Sequence, residues 1–309
     1  MIYSNAQSFP TNLSLMNKSP SNAWLLLIFV MIVWGVNWPI MKVGLQFMAP
    51  LPFVAARLFI AFLACSILLL YLKRFKLPQK QDYPIVLGVG IMQFAAFTLL
   101  VTTGLEYVNA GRAALLAYTT PLWVTPAANI FLKEKLSPLK LLGVAIGLCG
   151  ILTLFNPFAF DWNDSNVVKG NALLILAAFI WALSIVHVRQ HKWHGSVLEL
   201  APWQILVSLL IVIPVTYFNE NRATIWNVEL TAILIFNGIF ATAGAMWASV
   251  RMTQLLPAVT VSLGLLLVPV MGVTIATVWL KEPFSVSLGI GMGLIVLGLL
   301  FQLNRLFKK

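Results

Sequence analysis

Polar side chains inside long apolar stretches are the first candidates for chemistry in this chain. Asn37 and Ser184 each follow a tryptophan by one helical turn, within stretches long enough to cross a bilayer. A polar group at that depth needs a partner, because hydrocarbon offers no hydrogen bonds. Interhelical hydrogen bonds, worth about 0.6 kcal/mol each, could be the whole role of such residues. The alternative is contact with a bound solute, for which Asn37 and Ser184 are the strongest candidates.

Aromatic residues near these positions could line a cavity. Trp34, Trp38, Trp181, Trp203 and Trp247 lie deeper in the apolar stretches than interfacial anchors do, although packing alone would also explain them. A cavity of this kind would be mostly apolar and neutral, which suits amino acids with apolar side chains or amphiphilic metabolites. The predicted solute contacts are Trp34, Asn37, Trp38, Gln93, Tyr118, Thr119, Trp181, Ser184, Gln204 and Trp247.

Arg57 lies deeper in an apolar stretch than any other basic residue and could fall within a membrane span. Arg57 lies seven residues into the second of these stretches. It could pair with a carboxylate such as Glu106, or extend its charged end to the interface. It could instead bind the carboxylate of a solute, because a guanidinium matches carboxylate geometry. The sequence leaves both interpretations open.

Three prolines predict helix breaks that could serve as gates. Pro39, Pro121 and Pro269 each lack an N–H, so the carbonyl four residues earlier loses its helical partner. In hydrocarbon, that carbonyl must be satisfied by protein or by water in a cavity. A packed structural kink is the alternative at each position. The carbonyls concerned belong to Gly35, Ala117 and Leu265.

Missing motifs exclude several function classes. The chain has no G-x-x-x-x-G-K-[ST] motif, which excludes ATP hydrolysis by this chain. No Asp or Glu lies in the middle of an apolar stretch, which argues against a proton relay through a buried carboxylate.

Three histidines have the spacing of a metal site, but neighbouring Arg189 and Lys192 would repel a cation, so a basic interfacial cluster is favoured over zinc. We expect no enzyme activity, no metal and no cofactor. The histidines are His187, His191 and His194.

Composition predicts an integral membrane protein. The 309 residues are 60% hydrophobic and 9% charged, which is more apolar surface than a soluble domain could bury. The net charge of +11 comes from Lys and Arg clusters between apolar stretches, which indicates topology and not nucleic-acid binding. Membrane lipid and a small-molecule solute are therefore the expected partners. Ten stretches meet the length needed to span a bilayer: 23–44, 50–72, 83–104, 109–131, 138–155, 169–188, 198–218, 228–250, 256–280 and 286–304.

The chain is internally duplicated. The stretch from Ala114 to Phe131 returns 148 residues later, as Val261 to Leu280. Five predicted helices in each copy would insert the second copy upside down, which is the inverted-repeat architecture of alternating-access transporters. The matches include Pro121 with Pro269, Lys133-Glu134 with Lys281-Glu282, Gly150 with Gly298 and, in the earlier helices, Asn37 with Ser184 and Arg57 with Gln204.

These patterns together predict the fold and its division. The fold class is all-α integral membrane, with ten transmembrane helices as two inverted five-helix repeats. The predicted units are a disordered cytoplasmic tail at 1–21, a first repeat at 22–155, an outer linker at 156–168 and a second repeat at 169–305. Fourteen of the twenty basic residues fall on the side of the termini, which predicts that both termini are cytoplasmic.

The duplicated proline helix and its tail resemble the drug/metabolite transporter superfamily, specifically its EamA-type proteins. The matching sequence segments are LKEKLSPLKLLGVAIGLCGILTLF in the first copy and VWLKEPFSVSLGIGMGLIVLGLL in the second. The resemblance covers roughly residues 23–303. It implies ten helices, cytoplasmic termini, a location in the inner or plasma membrane, and a central solute cavity between the halves.

The resemblance also implies a function. Many members of the family export amino acids or related metabolites, so we expect a secondary transporter of such solutes. A flippase for a lipid or a lipid carrier on the same fold is the alternative. The two GxxxG motifs, at Gly143/Gly147 and Gly289/Gly293, are explained by close helix packing, and one of them could also form a homodimer contact.

Overall fold

The computed structural model describes residues 20–133, 137–155, 163–257, 260–261, 264–265, 267–282 and 284–303. All regular elements in these ranges are helices. The predicted tail at 1–21 and linker at 156–168 fall largely outside the described residues. The helices are α1 (Pro20–Phe47), α2 (Pro50–Tyr71), α3 (Lys80–Tyr107), α4 (Ala110–Ala117), α5 (Thr120–Leu132), α6 (Pro138–Phe155), α7 (Ser165–Gln190), α8 (Val197–Asn219), α9 (Val228–Leu255), α10 (Leu267–Trp279) and α11 (Val286–Leu303).

Six of the described helices are long and apolar enough to cross a membrane, namely α1, α2, α3, α7, α8 and α9. Shorter apolar stretches lie in α6, α10 and α11. The expectation of an all-helical membrane protein is therefore confirmed, while the count of ten spanning helices stays a prediction. We call the chain up to the end of α6 the first half, and the chain from α7 onward the second half.

Helix starts follow local sequence signals. The Asp164 carboxylate accepts a hydrogen bond from the Asn166 N–H at 2.9 Å, at the start of α7. Ser196 and Glu199 form a capping box at the start of α8, in which each side chain accepts from the other residue's backbone N–H. Such caps satisfy backbone donors that the first helical turn leaves free. They explain why α7 and α8 begin where they do.

The three prolines behave differently from one another. The predicted break at Pro121 is observed, because the span 109–131 is divided into α4 and α5 at Tyr118 and Thr119. The predicted break at Pro39 is wrong, since α1 continues through this residue as one helix. Proline fixes φ at a helical value and removes one donor, so tertiary packing on both sides can carry a helix across it. Pro269 lies in the first turn of α10.

The carbonyls that two of these prolines were expected to leave unpaired have partners. The Ala117 carbonyl accepts a hydrogen bond from the Thr120 hydroxyl at 3.1 Å. The Leu265 carbonyl accepts one from the Val268 N–H at 3.0 Å. Both carbonyls are thus satisfied by nearby residues, as a membrane interior requires. Of the two partners that the sequence allowed, protein and cavity water, the structure shows protein at both carbonyls.

Both α3 and α9 contain a π-helical segment in the middle. The segments are Gly90–Phe97 and Asn237–Gly244, and they occupy equivalent positions in the two halves. Each begins with or just before a glycine that touches the second helix of the other half. A Cβ on Gly90 would lie 2.6 Å from the Gln204 carbonyl oxygen in α8, and one on Gly238 would lie 3.1 Å from the Arg57 carbonyl oxygen in α2. The two halves therefore meet through matched backbone contacts.

Other irregular features recur in the same way. Lys133 and Lys281 both adopt left-handed backbone conformations, with φ of 53° and 56°, just after α5 and α10. The Lys42 ammonium donates to carbonyls at the end of α3, and the Arg189 guanidinium donates to the Gln254 carbonyl at the end of α9. These residues are equivalent in the sequence repeat, so the duplicated sequence corresponds to duplicated local structure.

The glycines of α6 and α11 allow these two helices to pack backbone against backbone. A Cβ on Gly298 would lie 2.5 Å from the Gly143 carbonyl oxygen, and one on Gly150 would lie 2.7 Å from the Gly291 carbonyl oxygen. The first GxxxG motif is thus covered within the chain. Gly293, in contrast, has nothing within 4 Å of the position its Cβ would take.

This difference between two glycines of the same helix predicts opposite effects on stability. Gly298→Ala should destabilise the protein by about 1–3 kcal/mol, because the added methyl group overlaps the backbone of α6. Gly293→Ala should be neutral or stabilising by up to about 1 kcal/mol, because alanine has the higher helix propensity. Thermal unfolding of both purified variants in the same detergent measures the difference. Equal melting temperatures would contradict the packing of α6 on α11.

Candidate functional site

A cavity lies in the middle of the bundle, where the two halves meet. The first half supplies α1, α2, α3 and the break between α4 and α5, and the second half supplies α7 and α9. Most of its surface is apolar or aromatic. The lining residues are Trp34, Asn37, Trp38, Met41, Arg57, Phe97, Thr98, Val101, Ala117, Tyr118, Thr120, Trp181 and Met246.

Two groups of aromatic rings form the walls of the cavity. The Trp34 and Trp181 rings pack edge to face with centroids 5.4 Å apart, and the Phe97 ring lies 4.6 Å from that of Trp181. The Trp38 and Tyr118 rings form a second edge-to-face pair at 6.3 Å. Both geometries are favourable for aromatic quadrupoles, so the walls are held in place before any solute enters.

One aromatic wall is also tied to the other half by a hydrogen bond. The Trp34 indole N–H donates to the Ala241 carbonyl at 3.0 Å. Ala241 lies in the π-helical segment of α9, where the wider turn alters the regular carbonyl pairing. The irregular segment thus supplies an acceptor that a regular helix would use internally.

Arg57 contributes a charge to this apolar space. Its side chain is buried, with the residue only 4% exposed, and its Nε donates to the Thr242 hydroxyl at 3.0 Å. Its Nη1 donates to the Met41 sulfur at 3.2 Å. No carboxylate pairs with this guanidinium within the described ranges. The cation is therefore held by neutral groups alone.

The sequence left open that Arg57 pairs with Glu106 or extends to the interface, and the structure shows neither. The Glu106 carboxylate instead pairs with the Arg222 guanidinium at 2.8 Å, near one end of the bundle. Glu106 lies in the last turn of α3, too close to that end to reach a residue in the bundle interior. Burial of Arg57 between α1 and α9 leaves it no route to the interface.

Asn37 is the other strongly polar side chain in the cavity lining. The residue is 5% exposed, and its Oδ1 has no hydrogen-bond partner among the described residues. Buried amide oxygens are nearly always paired, because the cost of leaving one unpaired is about 1–3 kcal/mol. Rotation about χ2 exchanges the amide oxygen and nitrogen, so either group can be presented to the cavity.

The structure brings six of the sequence-predicted site residues to this cavity and leaves five elsewhere. Ser184 and Gln204, the equivalents of Asn37 and Arg57, are buried but do not line it. The Thr119 hydroxyl donates to the Leu116 carbonyl at 2.9 Å and is used within the chain. Gln93 is buried in the π-helical segment of α3, and Trp247 is partly buried at its own position in α9. The six residues are Trp34, Asn37, Trp38, Arg57, Tyr118 and Trp181.

Sequence reasoning missed most of the apolar lining. Met41 could have been found, because it shares a helical face with Trp34, Asn37 and Trp38. Thr120 belongs to the polar cluster beside Pro121. The others carry no local signal, since residues of these types occur throughout the apolar helices of this chain. They are Phe97, Thr98, Val101, Ala117 and Met246.

At one end of the bundle, a carboxylate from the second half binds the start of α4. The Glu282 side chain accepts hydrogen bonds from the Ala110 N–H at 2.9 Å and the Gly111 N–H at 3.2 Å. Asn109, the residue before α4, makes no cap hydrogen bond with its own side chain. Glu282, which belongs to the second half, therefore caps a helix of the first half. The positive end of the helix dipole favours a negatively charged carboxylate at this place.

At the opposite end, a buried carboxylate of the first half binds the loop between α7 and α8. Asp82 accepts hydrogen bonds from the His191 Nε2 at 3.1 Å, the His194 N–H at 3.0 Å and the Gly195 N–H at 2.6 Å. His187 instead contacts the Pro84 carbonyl at 3.1 Å. The described His, Cys, Asp and Glu residues form no cluster of three that could hold a metal ion.

Comparison with known proteins identifies the family. The model of the EamA-like transporter family matches residues 22–156 and again residues 168–303. A Bacillus subtilis protein named "Uncharacterized transporter YoaV" is 26% identical over 88% of this chain and 94% of its own length. A Salmonella typhimurium protein named "Probable amino-acid metabolite efflux pump" is 27% identical, over 89% of this chain and 92% of that protein.

A solved structure has the same fold. A crystal structure of a protein 19% identical to this chain aligns with a TM-score of 0.71, and the alignment covers 94% of this chain and 100% of that one. The two family matches agree with the two copies found in the sequence, and together they cover most of the chain. With its apolar helices and duplicated halves, the chain belongs to the EamA-like transporter family.

Proposed function

We propose that the protein is a secondary transporter that moves amino acids or related small metabolites across the cytoplasmic membrane, in the direction of export. The observation that carries this proposal is the cavity lined by aromatic and polar side chains from both halves. Relatives named as amino-acid metabolite efflux pumps support the choice of solute. The proposed solute contacts are Trp34, Asn37, Trp38, Arg57, Tyr118 and Trp181.

The proposed mechanism is alternating access between two inverted five-helix repeats. The matched contacts of Gly90 with the Gln204 carbonyl and of Gly238 with the Arg57 carbonyl support it, because each half uses the same surfaces toward the other. Such a pair of halves can exchange conformations, so that the cavity opens first to one side and then to the other. The inverted arrangement would place both termini in the cytoplasm.

The movable parts are proposed to be the short helices on either side of Tyr118. The break before Pro121 separates α4 from α5, so α4 can shift without bending a continuous helix. Glu282 holds the start of α4 through two backbone hydrogen bonds. Opening of the cavity toward this end would require these bonds to break, which makes Glu282 a reversible latch between the halves.

Transport should depend little on protons, because no Asp or Glu is among the lining residues of the cavity. In proteoliposomes, counterflow of a transported amino acid at pH 5.5 and pH 7.5 should differ by less than about threefold. A difference of about tenfold or more would contradict exchange without a proton relay. Failure of wild-type protein to exchange any amino acid or amphiphilic metabolite would overturn the proposed function.

The latch predicts a change in accessibility of the cavity. Glu282→Gln removes a charge–dipole interaction and one of the two acceptor oxygens, a loss of about 1 kcal/mol, so the open state should become roughly fivefold more populated. The readout is the rate at which a membrane-impermeant thiol reagent modifies Asn37→Cys in whole cells, in a background with Cys65→Ala and Cys149→Ala. The rate should rise by a similar factor.

Glu106→Gln is the matched control for this prediction. It breaks the half-exposed Glu106–Arg222 pair at the same end of the bundle, a contact worth about 0–1 kcal/mol that does not touch α4. The labelling rate should therefore change little. An unchanged rate in Glu282→Gln would refute the latch, and an increase seen only from the cytoplasmic side would reverse the proposed orientation.

A further inference from the structure

The cavity holds a positive charge without a counter-ion. The Arg57 guanidinium is bound by one hydroxyl and one thioether, and its Nη2 has no hydrogen-bond partner within the described part of the chain. Arginine stays protonated in proteins, and an unpaired charge at membrane depth is costly. The described lining residues include no acidic side chain that would offset it. An anion supplied from outside the chain would complete the site.

The shape of the unused donors indicates what kind of anion fits. With Nε and Nη1 already engaged, the free Nη2 and the remaining Nη1 hydrogen leave the outer edge of a planar fork available. A carboxylate matches this edge with two parallel hydrogen bonds. The apolar and aromatic lining leaves little hydration for a phosphate or sulfate dianion, whose second charge would have no basic partner there.

Asn37 supplies a second recognition element in the same space. Its Oδ1 lacks a donor, and the residue lines the cavity together with Arg57. An N–H or O–H group on the carbon next to the carboxylate would satisfy that oxygen. The two aromatic pairs would then enclose an apolar side chain, for which Trp34, Trp181 and Tyr118 provide ring faces and edges.

We propose that the solute is a monocarboxylate with one hydrogen-bond donor on the adjacent carbon and an apolar side chain, bound by its carboxylate to Arg57 and by its donor to Asn37. This rests on the proposed transport function and narrows its substrate class. α-Amino acids and 2-hydroxy acids with apolar side chains both meet the description. Amines and amides do not, since they lack the carboxylate, and dicarboxylates do not, since their second negative charge would find no second cation among the described lining residues.

The second half of the chain supports the assignment by contrast. At the positions equivalent to Asn37 and Arg57 it carries Ser184 and Gln204, which are buried outside the cavity. The duplicated framework therefore accepts an uncharged residue where the first half has arginine. The equivalent position in the second half thus carries no charge, whereas Arg57 lines the cavity.

The test is equilibrium binding to the purified full-length protein, measured by competition against radiolabelled L-phenylalanine. The competitors share one apolar group and differ only in their polar ends: L-phenylalanine, L-3-phenyllactate, 3-phenylpropionate, phenylalaninamide and phenethylamine. We expect the first two to bind best, 3-phenylpropionate about tenfold more weakly, and the amide and the amine at least about a hundredfold more weakly. Comparison of the amino and hydroxy acids shows which donor Asn37 prefers.

Variants assign the two contacts. Arg57→Gln, which introduces the residue found at the equivalent position of the second half, should weaken L-phenylalanine binding at least about thirtyfold and abolish the preference for acid over amine. Arg57→Lys keeps the charge and should retain that preference with reduced affinity. Asn37→Ala should bind L-phenylalanine and 3-phenylpropionate equally. Ser184→Ala removes a buried hydroxyl outside the cavity and should leave all affinities unchanged.

The possible outcomes distinguish a failure of this inference from a failure of the proposed transport function on which it rests. Equal binding of amine and acid by the wild type, or an unchanged acid preference in folded Arg57→Gln, would overturn the inference and leave transport intact. Size-exclusion profiles and melting temperatures identify folded variants, and Arg57→Lys decides the question if Arg57→Gln does not fold. No binding of any of the five probes would count against amino-acid transport itself and would overturn both.

Discussion

The close approach of each π-helical segment to the second helix of the other half is the contact on which the site depends. Within a bilayer, helices gain nothing by excluding lipid from one another, so they associate through tight packing and hydrogen bonds. Gly90 and Gly238 permit this packing because neither carries a side chain between the backbones. The contact at Gly238 fixes the backbone at Arg57, and Thr242, in the same π-helical segment, binds the Arg57 side chain. One packing arrangement thus joins the halves and positions the charge between them.

The two halves share a framework but have different polar groups in it. Equivalent residues form equivalent contacts at Gly90 and Gly238, at Lys42 and Arg189, and at Lys133 and Lys281. The cavity, however, takes its amide and its guanidinium from the first half alone. In the proposed mechanism, the symmetry of the framework would allow the halves to exchange conformations, and the asymmetry of the lining would give a solute one defined orientation.

The contacts between the halves also differ in kind along the bundle. Near the cavity they are made by backbone against backbone, and any movement there would open voids that dispersion forces oppose. At the two ends, Glu282 and Asp82 bind backbone N–H groups of the opposite half. Water can replace a carboxylate at an N–H group with a small change in free energy, because both are hydrogen-bond partners. In the proposed mechanism, the halves would therefore separate at these ends.

Much of the architecture follows from the sequence alone. Long apolar stretches and the repeat at 148 residues predicted a duplicated helical membrane protein, and the break at Pro121 was expected from its missing N–H. These inferences succeed because hydrophobic length and backbone hydrogen bonding act locally. Pro39 shows the limit of the same reasoning, since packing from other helices carries α1 through a residue that disfavours it.

Which side chains meet was decided only by the tertiary structure. Asn37 and Ser184 look alike in sequence, as do the surroundings of Arg57 and Gln204, yet only the first of each pair faces the cavity. The sequence also could not predict the partners of Arg57. Glu106, one candidate, pairs instead with Arg222, which is 116 residues away in the chain. Periodicity tells which residues share a helix face. The direction of that face depends on how helices rotate against one another, and glycines distant in sequence set that rotation.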